Sequence, residues 1–237
     1  MTKKYPILFI FSFILFAAVF LQYRINYQFI EKKVYDLAYN NVAPYNFDEA
    51  QKILLQYEQI SSENLPVRLK THRGLSFYKI PYKDAYQFLF QKNRIVDFTS
   101  KELRPLSIAF KRHDYFYLCL SISTLKVLFT LSEELVKLNL DPSAIKINSG
   151  FRTIVQNDKA KGALNSMHLY GKALDLRIGD IDRNGKIEFD DKEIVYKILD
   201  QKIVRNSGGL GYYPKTMIVH FDTRGAWARW DQYKRPE

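Results

Sequence analysis

The sequence contains little cysteine and little histidine, with one cysteine and four histidines in 237 residues. A single thiol cannot form an internal disulfide, which excludes a disulfide-stabilised scaffold. Cys119 lies in the apolar and aromatic run YFYLCLSI, where a buried and unreactive thiol is expected. Because histidine is scarce, any metal site built on imidazole has few candidate ligands.

The composition excludes wholesale disorder. Hydrophobic residues make up 47% of the chain, enough for one or two folded domains with a real core. Thirty-six Lys and Arg residues against 25 Asp and Glu residues give a formal charge of +11. This charge favours anionic partners, among them lipid headgroups, acidic wall polymers and nucleic acid, without choosing between them.

The amino terminus carries the one long uncharged apolar run, YPILFIFSFILFAAVFL from Tyr5 to Leu21. It is about long enough to cross a bilayer as a helix, and it lacks an A-x-A-like cleavage site. An uncleaved transmembrane anchor over residues 1–23 is therefore preferred to a removed signal peptide. Lys3 and Lys4 precede the run and predict a cytoplasmic amino terminus, with the remaining chain outside a single-pass cell-membrane anchor. That location speaks against a nucleic-acid partner.

Residues 24–106 show no repeat and no low-complexity tract. Asn46 followed by Glu49 resembles a helix capping box, and apolar residues then recur at helical spacing as far as Tyr57. We predict a small helical membrane-proximal region here. His72 and His113 have no ligand-like spacing with another His, Cys or carboxylate, so a structural or surface role is expected for both.

Residues 107–237 are predicted to form an α+β domain, in which helices flank an antiparallel sheet. Leucines from Leu125 to Leu138 recur at intervals of three and four, which predicts a core helix. The segments AIKINSGFR, KALDLRI and TMIVHFD alternate apolar and polar residues, as half-buried strands do.

A histidine and an aspartate flank a turn in the segment NSMHLYGKALDLRIGD. His168 precedes Gly171 and Asp175 follows it on a predicted strand, so the turn can bring the two side chains together. Zinc prefers nitrogen, sulfur or carboxylate ligands, and a catalytic zinc keeps three protein ligands. His220 is the natural third candidate, on a strand whose same face carries Ile218 and Asp222.

These segments resemble the zinc D-alanyl-D-alanine carboxypeptidase family. SMHLYGKALD fits the pattern S-x-H-x-x-G-x-A-x-D, with SGFR before it and VHFD after it, and the similarity spans roughly residues 115 to 230. The resemblance implies a zinc cleft in which His168, Asp175 and His220 hold the metal. It also implies that Arg152 receives an anionic part of the substrate and that Ser166 lines the same pocket.

The sequence departs from this family at the general base. Several members carry a glutamate three residues before the last zinc histidine, or a histidine two residues before it, where this chain has Met217 and Ile218. Neither side chain can accept a proton. Asp222 is the best local substitute, either as the base or as a partner that orients His220.

A second cation site is predicted after the predicted strand KALDLRI, where the segment DIDRNGKIEFDD follows the spacing of an EF-hand calcium loop. Oxygen ligands at alternate positions suit a hard cation, and Gly185 permits the sharp turn. A structural calcium clip is favoured over a solvated acidic turn. The predicted ligands are Asp180, Asp182, Asn184, the carbonyl of Lys186, Glu188 and Asp191.

The resemblance implies a membrane-anchored zinc peptidase that hydrolyses the stem peptides of peptidoglycan, as a D,D-carboxypeptidase or as a cross-link endopeptidase. A non-catalytic binding module is the alternative, because the hedgehog signalling domain is similar to this fold and metal set without being a recognised peptidase. The missing base favours this alternative.

Overall fold

A computed structural model describes residues 43–65, 71–99 and 115–230. All of them belong to one compact unit. The candidate span at residues 5–21, His113 and the predicted boundary after residue 106 lie outside the described residues. Within the described part of the chain, no helix combines the length and the apolar character needed to cross a membrane.

Residues 43–99 begin with a helix and continue mainly as short strands. Helix α1 (Phe47–Leu55) starts where the capping box predicts, since the Asn46 side chain accepts a hydrogen bond from the backbone N–H of Glu49. The prediction of a helical region misses the short strands that follow this helix. The strands that follow are β1 (Glu58–Ser61), β2 (Ser76–Pro81), β3 (Phe88–Phe90) and β4 (Asn93–Arg94).

Two small antiparallel sheets form from these strands. Strand β2 lies between β1 and β5 (Tyr115–Leu118), and β3 pairs with β4. A 3₁₀ helix, Ile95–Phe98, follows β4 directly. The chain from β4 through this 3₁₀ helix runs towards the larger sheet that carries the candidate site.

The larger sheet has five strands in the order β10-β8-β9-β7-β6. Its strands pair antiparallel except for β10, which is parallel to β8. The alternating segments of the sequence form its centre and one edge, as predicted. The strands are β6 (Ile145–Ser149), β7 (Ala173–Ile178), β8 (Gly209–Gly211), β9 (Ile218–Asp222) and β10 (Ala228–Trp230).

Helices pack against this sheet and complete an α+β fold. The predicted leucine helix is α2 (Ile122–Lys137), and its buried face includes Leu125, Leu128 and Leu135, whereas Leu138 follows the helix and is half exposed. Further helices are α3 (Ile154–Lys159), α4 (Phe189–Ile198) and the π-helix Leu199–Val204. One continuous core joins residues of α1 and β3 to residues of β7 and β9.

Candidate metal centre

One row of residues across the larger sheet carries most of the site. Asp175 on β7 lies directly opposite His220 on β9 and, on its other side, opposite Ser149 on β6. The row continues through Gly211 on β8 to Trp230 on β10. Residues that lie opposite one another in a sheet present their side chains on the same face. The strand pairing therefore places Asp175 and His220 side by side.

His168 joins this row from the 3₁₀ helix Met167–Tyr170. Its Nε2 lies 3.3 Å from Asp175 Oδ1 and 3.2 Å from His220 Nδ1, while His220 Nδ1 lies 2.8 Å from the same carboxylate oxygen. The three side chains thus converge on one point. They are 2%, 6% and 4% exposed for His168, Asp175 and His220.

Gly171 allows the sharp turn between the 3₁₀ helix that carries His168 and the start of strand β7. It ends the 3₁₀ helix in a left-handed conformation, with φ of 65°. A Cβ at this position would also lie 2.5 Å from the carbonyl oxygen of Cys119. Glycine meets both demands, since it tolerates positive φ and has no side chain. Cys119 itself is buried, and burial raises the pKa of its thiol to about 12.

The outer partner of His168 fixes which of its nitrogens faces the centre. Nδ1 lies 2.7 Å from the carbonyl oxygen of Gly150. A carbonyl can only accept, so Nδ1 of the neutral ring carries the hydrogen and Nε2 presents a lone pair. Burial lowers the pKa of His168, which favours this neutral form.

His220 is oriented in the same way from the opposite side. Its Nε2 lies 3.3 Å from Asp222 Oδ2 and its Nδ1 lies 2.8 Å from Asp175 Oδ1, so each ring nitrogen faces a carboxylate oxygen. The neutral tautomer that donates to Asp222 leaves the Nδ1 lone pair for a metal at the centre. Burial lowers the pKa of His220, but the hydrogen bonds to Asp175 and Asp222 raise it more, and the net shift is upward. The positive charges and hydrogen bonds around Asp175 outweigh its burial and hold the pKa of its carboxyl well below the usual range.

This donor set fits zinc. Two imidazole lone pairs and a carboxylate oxygen lie 2.8–3.3 Å apart. A tetrahedral zinc with bonds of about 2.0–2.1 Å holds its ligands about 3.3 Å apart. A divalent cation binds the deprotonated carboxylate and the neutral form of each imidazole, which is the form that offers a lone pair.

Arg152 contacts the metal cluster directly. Its Nη2 donates to Asp175 Oδ2 at 2.5 Å, and its Nε donates to the Ser149 hydroxyl at 3.0 Å. The guanidinium therefore orients the carboxylate that faces the two histidines. Ser166, the other predicted substrate contact, is partly buried at the start of the 3₁₀ helix, and its hydroxyl makes no capping hydrogen bond there.

Both carboxylate oxygens of Asp222 accept hydrogen bonds in the structure. Its Oδ1 accepts hydrogen bonds from Arg224 Nε at 2.8 Å and from the backbone N–H of Gly209 at 3.1 Å, and its Oδ2 accepts from Arg224 Nη2 at 2.6 Å. Burial raises the pKa of Asp222, but His220 and Arg224 lower it well below its usual range. Asp222 also lies on the side of His220 away from the cluster. This placement is that of a partner that orients His220.

Arg224 and Trp230 lie beside the cluster, although the sequence assigned neither residue to the site. Arg224 forms an ion pair with Asp222, and its guanidinium lies 5.3 Å from the Trp230 ring centroid. Trp230 packs against the imidazole of His220, with ring centroids 5.0 Å apart. Gly211 makes room for the indole, because a Cβ there would lie 2.5 Å from Trp230 Nε1. The glycines of GGLG were the sequence signal for this close packing.

The predicted calcium loop brings three carboxylates together. Ligand oxygens of Asp180, Asp182 and Asp191 lie within 4.8 Å of one another. Each side chain already accepts backbone N–H groups of the loop, for example Gly185 N to Asp180 at 2.9 Å and Ile181 N to Asp191 at 2.7 Å. Hydrogen bonds between these carboxylates and the loop's own backbone therefore hold the loop in its conformation.

The other predicted ligands lie on the same turn. The Asn184 amide oxygen accepts from the backbone N–H of Lys186 at 2.8 Å. Glu188 caps helix α4, where its backbone N–H donates to Asp191 at 2.8 Å.

Comparison with known proteins agrees with this chemistry. No curated protein matches the chain significantly. Residues 121–222 match the family described as Peptidase M15, whose members are zinc-dependent. The matched segment contains His168, Asp175 and His220 together with Arg152. The family match and the buried His/Asp cluster together support a metallopeptidase related to the M15 zinc peptidases.

Proposed function

We propose that this protein is a zinc peptidase that hydrolyses amide bonds in the stem peptides of peptidoglycan, as a D,D-carboxypeptidase or as an endopeptidase. The observation that carries the proposal is the convergence of two imidazole lone pairs and one carboxylate oxygen, at 2.8–3.3 Å from one another. When bound there, zinc would supply a Lewis acid and lower the pKa of a water ligand to about 7.

Arg152 can bind an anionic substrate group while it holds Asp175. Two of its five N–H groups are used by Asp175 and Ser149, and the side chain is 15% exposed. The remaining N–H groups form a planar, permanently charged donor set that suits a carboxylate or a developing oxyanion. A free substrate carboxylate at this position would favour the carboxypeptidase reaction. Ser166 is proposed to line the same pocket.

The membrane location and the wall substrate belong to the same proposal. The apolar run at Tyr5–Leu21 would anchor the chain, with the catalytic unit on the outer side of the membrane. There the formal charge of +11 would favour acidic wall polymers, and nucleic acid would be out of reach.

A non-catalytic binding module of the hedgehog type is the second candidate. The observation that favours it is the state of the only acidic side chain next to His220 on β9: the Asp222 carboxylate is committed to Arg224, Gly209 and His220. Met217 and Ile218 occupy the positions at which relatives carry a base, and neither side chain accepts a proton. Such a site could hold zinc and a wall peptide without cleaving it.

Digestion of purified peptidoglycan separates the two candidates. The full chain with one equivalent of zinc is expected to release D-alanine or new amino termini, detected by mass spectrometry. His168→Ala should abolish the release, because it removes a metal ligand. His72→Ala is the matched control, since His72 stacks on Tyr170 and is not part of the metal cluster. Zinc-dependent binding without new termini would favour the module, and failure to bind zinc at all would contradict both.

We also propose that the loop Asp180–Asp191 binds calcium as a structural clip. Its support is the close approach of three carboxylates in the register of a calcium loop. Asp191 is the buried member and lies in the first turn of α4, where it accepts the backbone N–H of Ile181, so a cation there would tie the loop to the helix. Isothermal titration with CaCl₂ is expected to show one site that Asp182→Ala abolishes, because alanine removes the oxygen ligand at this position. The neighbouring exposed Asp190→Asn is the control and should bind as the wild type does.

A further inference from the structure

The segment Asn93–Thr99 lies outside the part of the chain that matches Peptidase M15. It nevertheless runs along β6 and the turn that follows, which lie inside that match. Strand β6 is at the end of the sheet order, so its outer edge has no strand of the five-stranded sheet beside it. Backbone groups at a buried edge need other partners.

Asn93 supplies two of these partners with one side chain. Its Nδ2 donates to the carbonyl oxygen of Ile145 at 2.9 Å, and its Oδ1 accepts from the backbone N–H of Ile147 at 2.8 Å. Asn93 is 3% exposed. The amide therefore bonds to β6 as the backbone of a neighbouring strand would, and it does so in a buried position where an unmade hydrogen bond is costly.

The other end of the segment holds the turn after β6. The backbone N–H of Phe151 donates to the carbonyl of Phe98 at 2.9 Å, and the Thr99 hydroxyl donates to the carbonyl of Phe151 at 3.3 Å. Gly150 lies so close that a Cβ on it would be 1.9 Å from the Phe98 carbonyl oxygen. Only glycine fits there, and the backbone of Phe98 fixes its position.

This turn orients a metal ligand. The carbonyl of Gly150 accepts the Nδ1 hydrogen of His168 at 2.7 Å, and the backbone N–H of Arg152 donates to the carbonyl of His168 at 3.1 Å. A shift of Gly150 would rotate the imidazole and move its Nε2 away from Asp175. The partners that orient a ligating histidine typically change metal affinity by about 10- to 100-fold when they are lost.

We infer that Asn93–Thr99 is a positioning element of the metal site, in which Asn93 fixes β6 while Phe98 and Thr99 fix the Gly150 carbonyl that orients His168. The inference rests on the proposed zinc site and goes beyond it, because it assigns a role to residues that the family match does not include. Asn93 and Thr99 are positioning residues and contact neither metal nor substrate.

The test uses the full chain and three measurements: zinc affinity by competition with a chelator, the visible absorption of the Co²⁺-substituted protein, and urea unfolding without metal. Asn93→Ala is expected to weaken zinc binding about 10-fold and to change the Co²⁺ spectrum, because the geometry of the ligand set changes. Ser132→Ala is the matched control. It removes one hydrogen bond, from Gln91, at a similarly buried position on α2, and should lower stability without changing the zinc affinity or the spectrum.

The inference is overturned if Asn93→Ala lowers stability but keeps the wild-type zinc affinity and Co²⁺ spectrum, because the role is then structural only. Should Asn93→Ala fail to fold, Thr99→Val decides: it keeps the shape and removes the hydroxyl bond to Phe151, so weaker zinc binding supports the inference and unchanged binding overturns it. A wild-type protein that binds zinc without peptidase activity would contradict the proposed function alone. A wild-type protein that binds no zinc would contradict both.

Discussion

Two clusters of side chains that could hold a metal ion differ in where their hydrogen bonds come from. In the cluster of His168, Asp175 and His220, carbonyl and carboxylate partners hold the far side of each histidine and leave lone pairs at the centre. In the loop of Asp180, Asp182 and Asp191, the carboxylates accept N–H groups of the loop itself.

The two clusters hold their side chains in place in different ways. The histidine cluster is buried and its geometry is set by residues from several strands, so the ligands are held in place before a metal arrives. The acidic loop is local in sequence, residues 182–190 are exposed, and its carboxylates accept backbone N–H groups of the same loop. Imidazole ligands suit zinc among other transition metals, whereas an all-oxygen set suits a hard cation such as the proposed calcium.

The largest expected effect is a loss of zinc affinity when a ligand of the histidine cluster is removed, with no such loss when the acidic loop is changed. Asp175→Ala removes a metal ligand and leaves Arg152 unpaired next to two histidines. We expect zinc affinity to fall by more than about 100-fold, beyond the usual cost of losing an outer partner. Asp182→Ala, in the acidic loop, should leave zinc affinity unchanged. Chelator competition on both variants checks the prediction, and equal losses would show that the two clusters are not independent.

The next effect concerns the orienting carboxylate. Asp222→Asn replaces an obligate acceptor with an amide, which no longer fixes the Nε2 hydrogen of His220 and weakens the pair with Arg224. Zinc affinity is expected to fall by about 10- to 100-fold. Asp200→Asn disrupts a comparable carboxylate–arginine pair, with Arg229, away from the cluster and serves as the control. If Asp222 acted as the general base instead, the variant would lose turnover while retaining wild-type zinc affinity.

Zinc affinity should also depend on pH in a way that calcium affinity does not. Protons compete with zinc for the histidines. Since the pKa of His220 is raised above its ordinary value of 6.5, zinc binding should begin to weaken above pH 6.5 as the pH falls, by about tenfold per pH unit for each proton displaced. The calcium loop contains no imidazole, and its affinity should be nearly level from pH 8 to pH 6. Titrations of both metals across this range test the contrast.

The smallest effect is on stability through the acidic loop. Calcium at about 100 times its dissociation constant should raise the free energy of unfolding by about 2.7 kcal/mol. Asp191→Asn should remove this increase, because Asp191 joins the loop to the first turn of α4. Thermal unfolding with and without calcium measures it. An unchanged calcium effect in the variant would mean that the ion binds elsewhere.

Local patterns in the sequence predicted much of the larger sheet. The alternating segments became β6, β7 and β9, the leucine stripe became the buried face of α2, and the Asn46 cap starts α1. The short strands before residue 99 were missed because their patterns are weak. Nearly all residues of strand β1 are exposed to solvent, and β4 contains only two residues. Neither length nor alternation distinguishes such strands from loops.

The ligand triad was predicted mainly through a family resemblance, and the structure brings its three members together. The roles of their partners were not predictable, because they depend on contacts distant in sequence. Strand alternation alone predicts that Asp222 and His220 share a face. The folded structure adds that Asp222 contacts Nε2 of His220, the ring nitrogen that points away from the cluster. The contacts of Asn93 with β6 join residues more than 50 positions apart.

Zinc-edge X-ray absorption of the purified full chain, loaded with one equivalent of zinc, tests the central claim most directly. The account predicts two imidazole nitrogens and one carboxylate oxygen at about 2.0–2.2 Å, with one imidazole missing in His168→Ala. A wild-type spectrum without two imidazole ligands, or one that His168→Ala leaves unchanged, would contradict it.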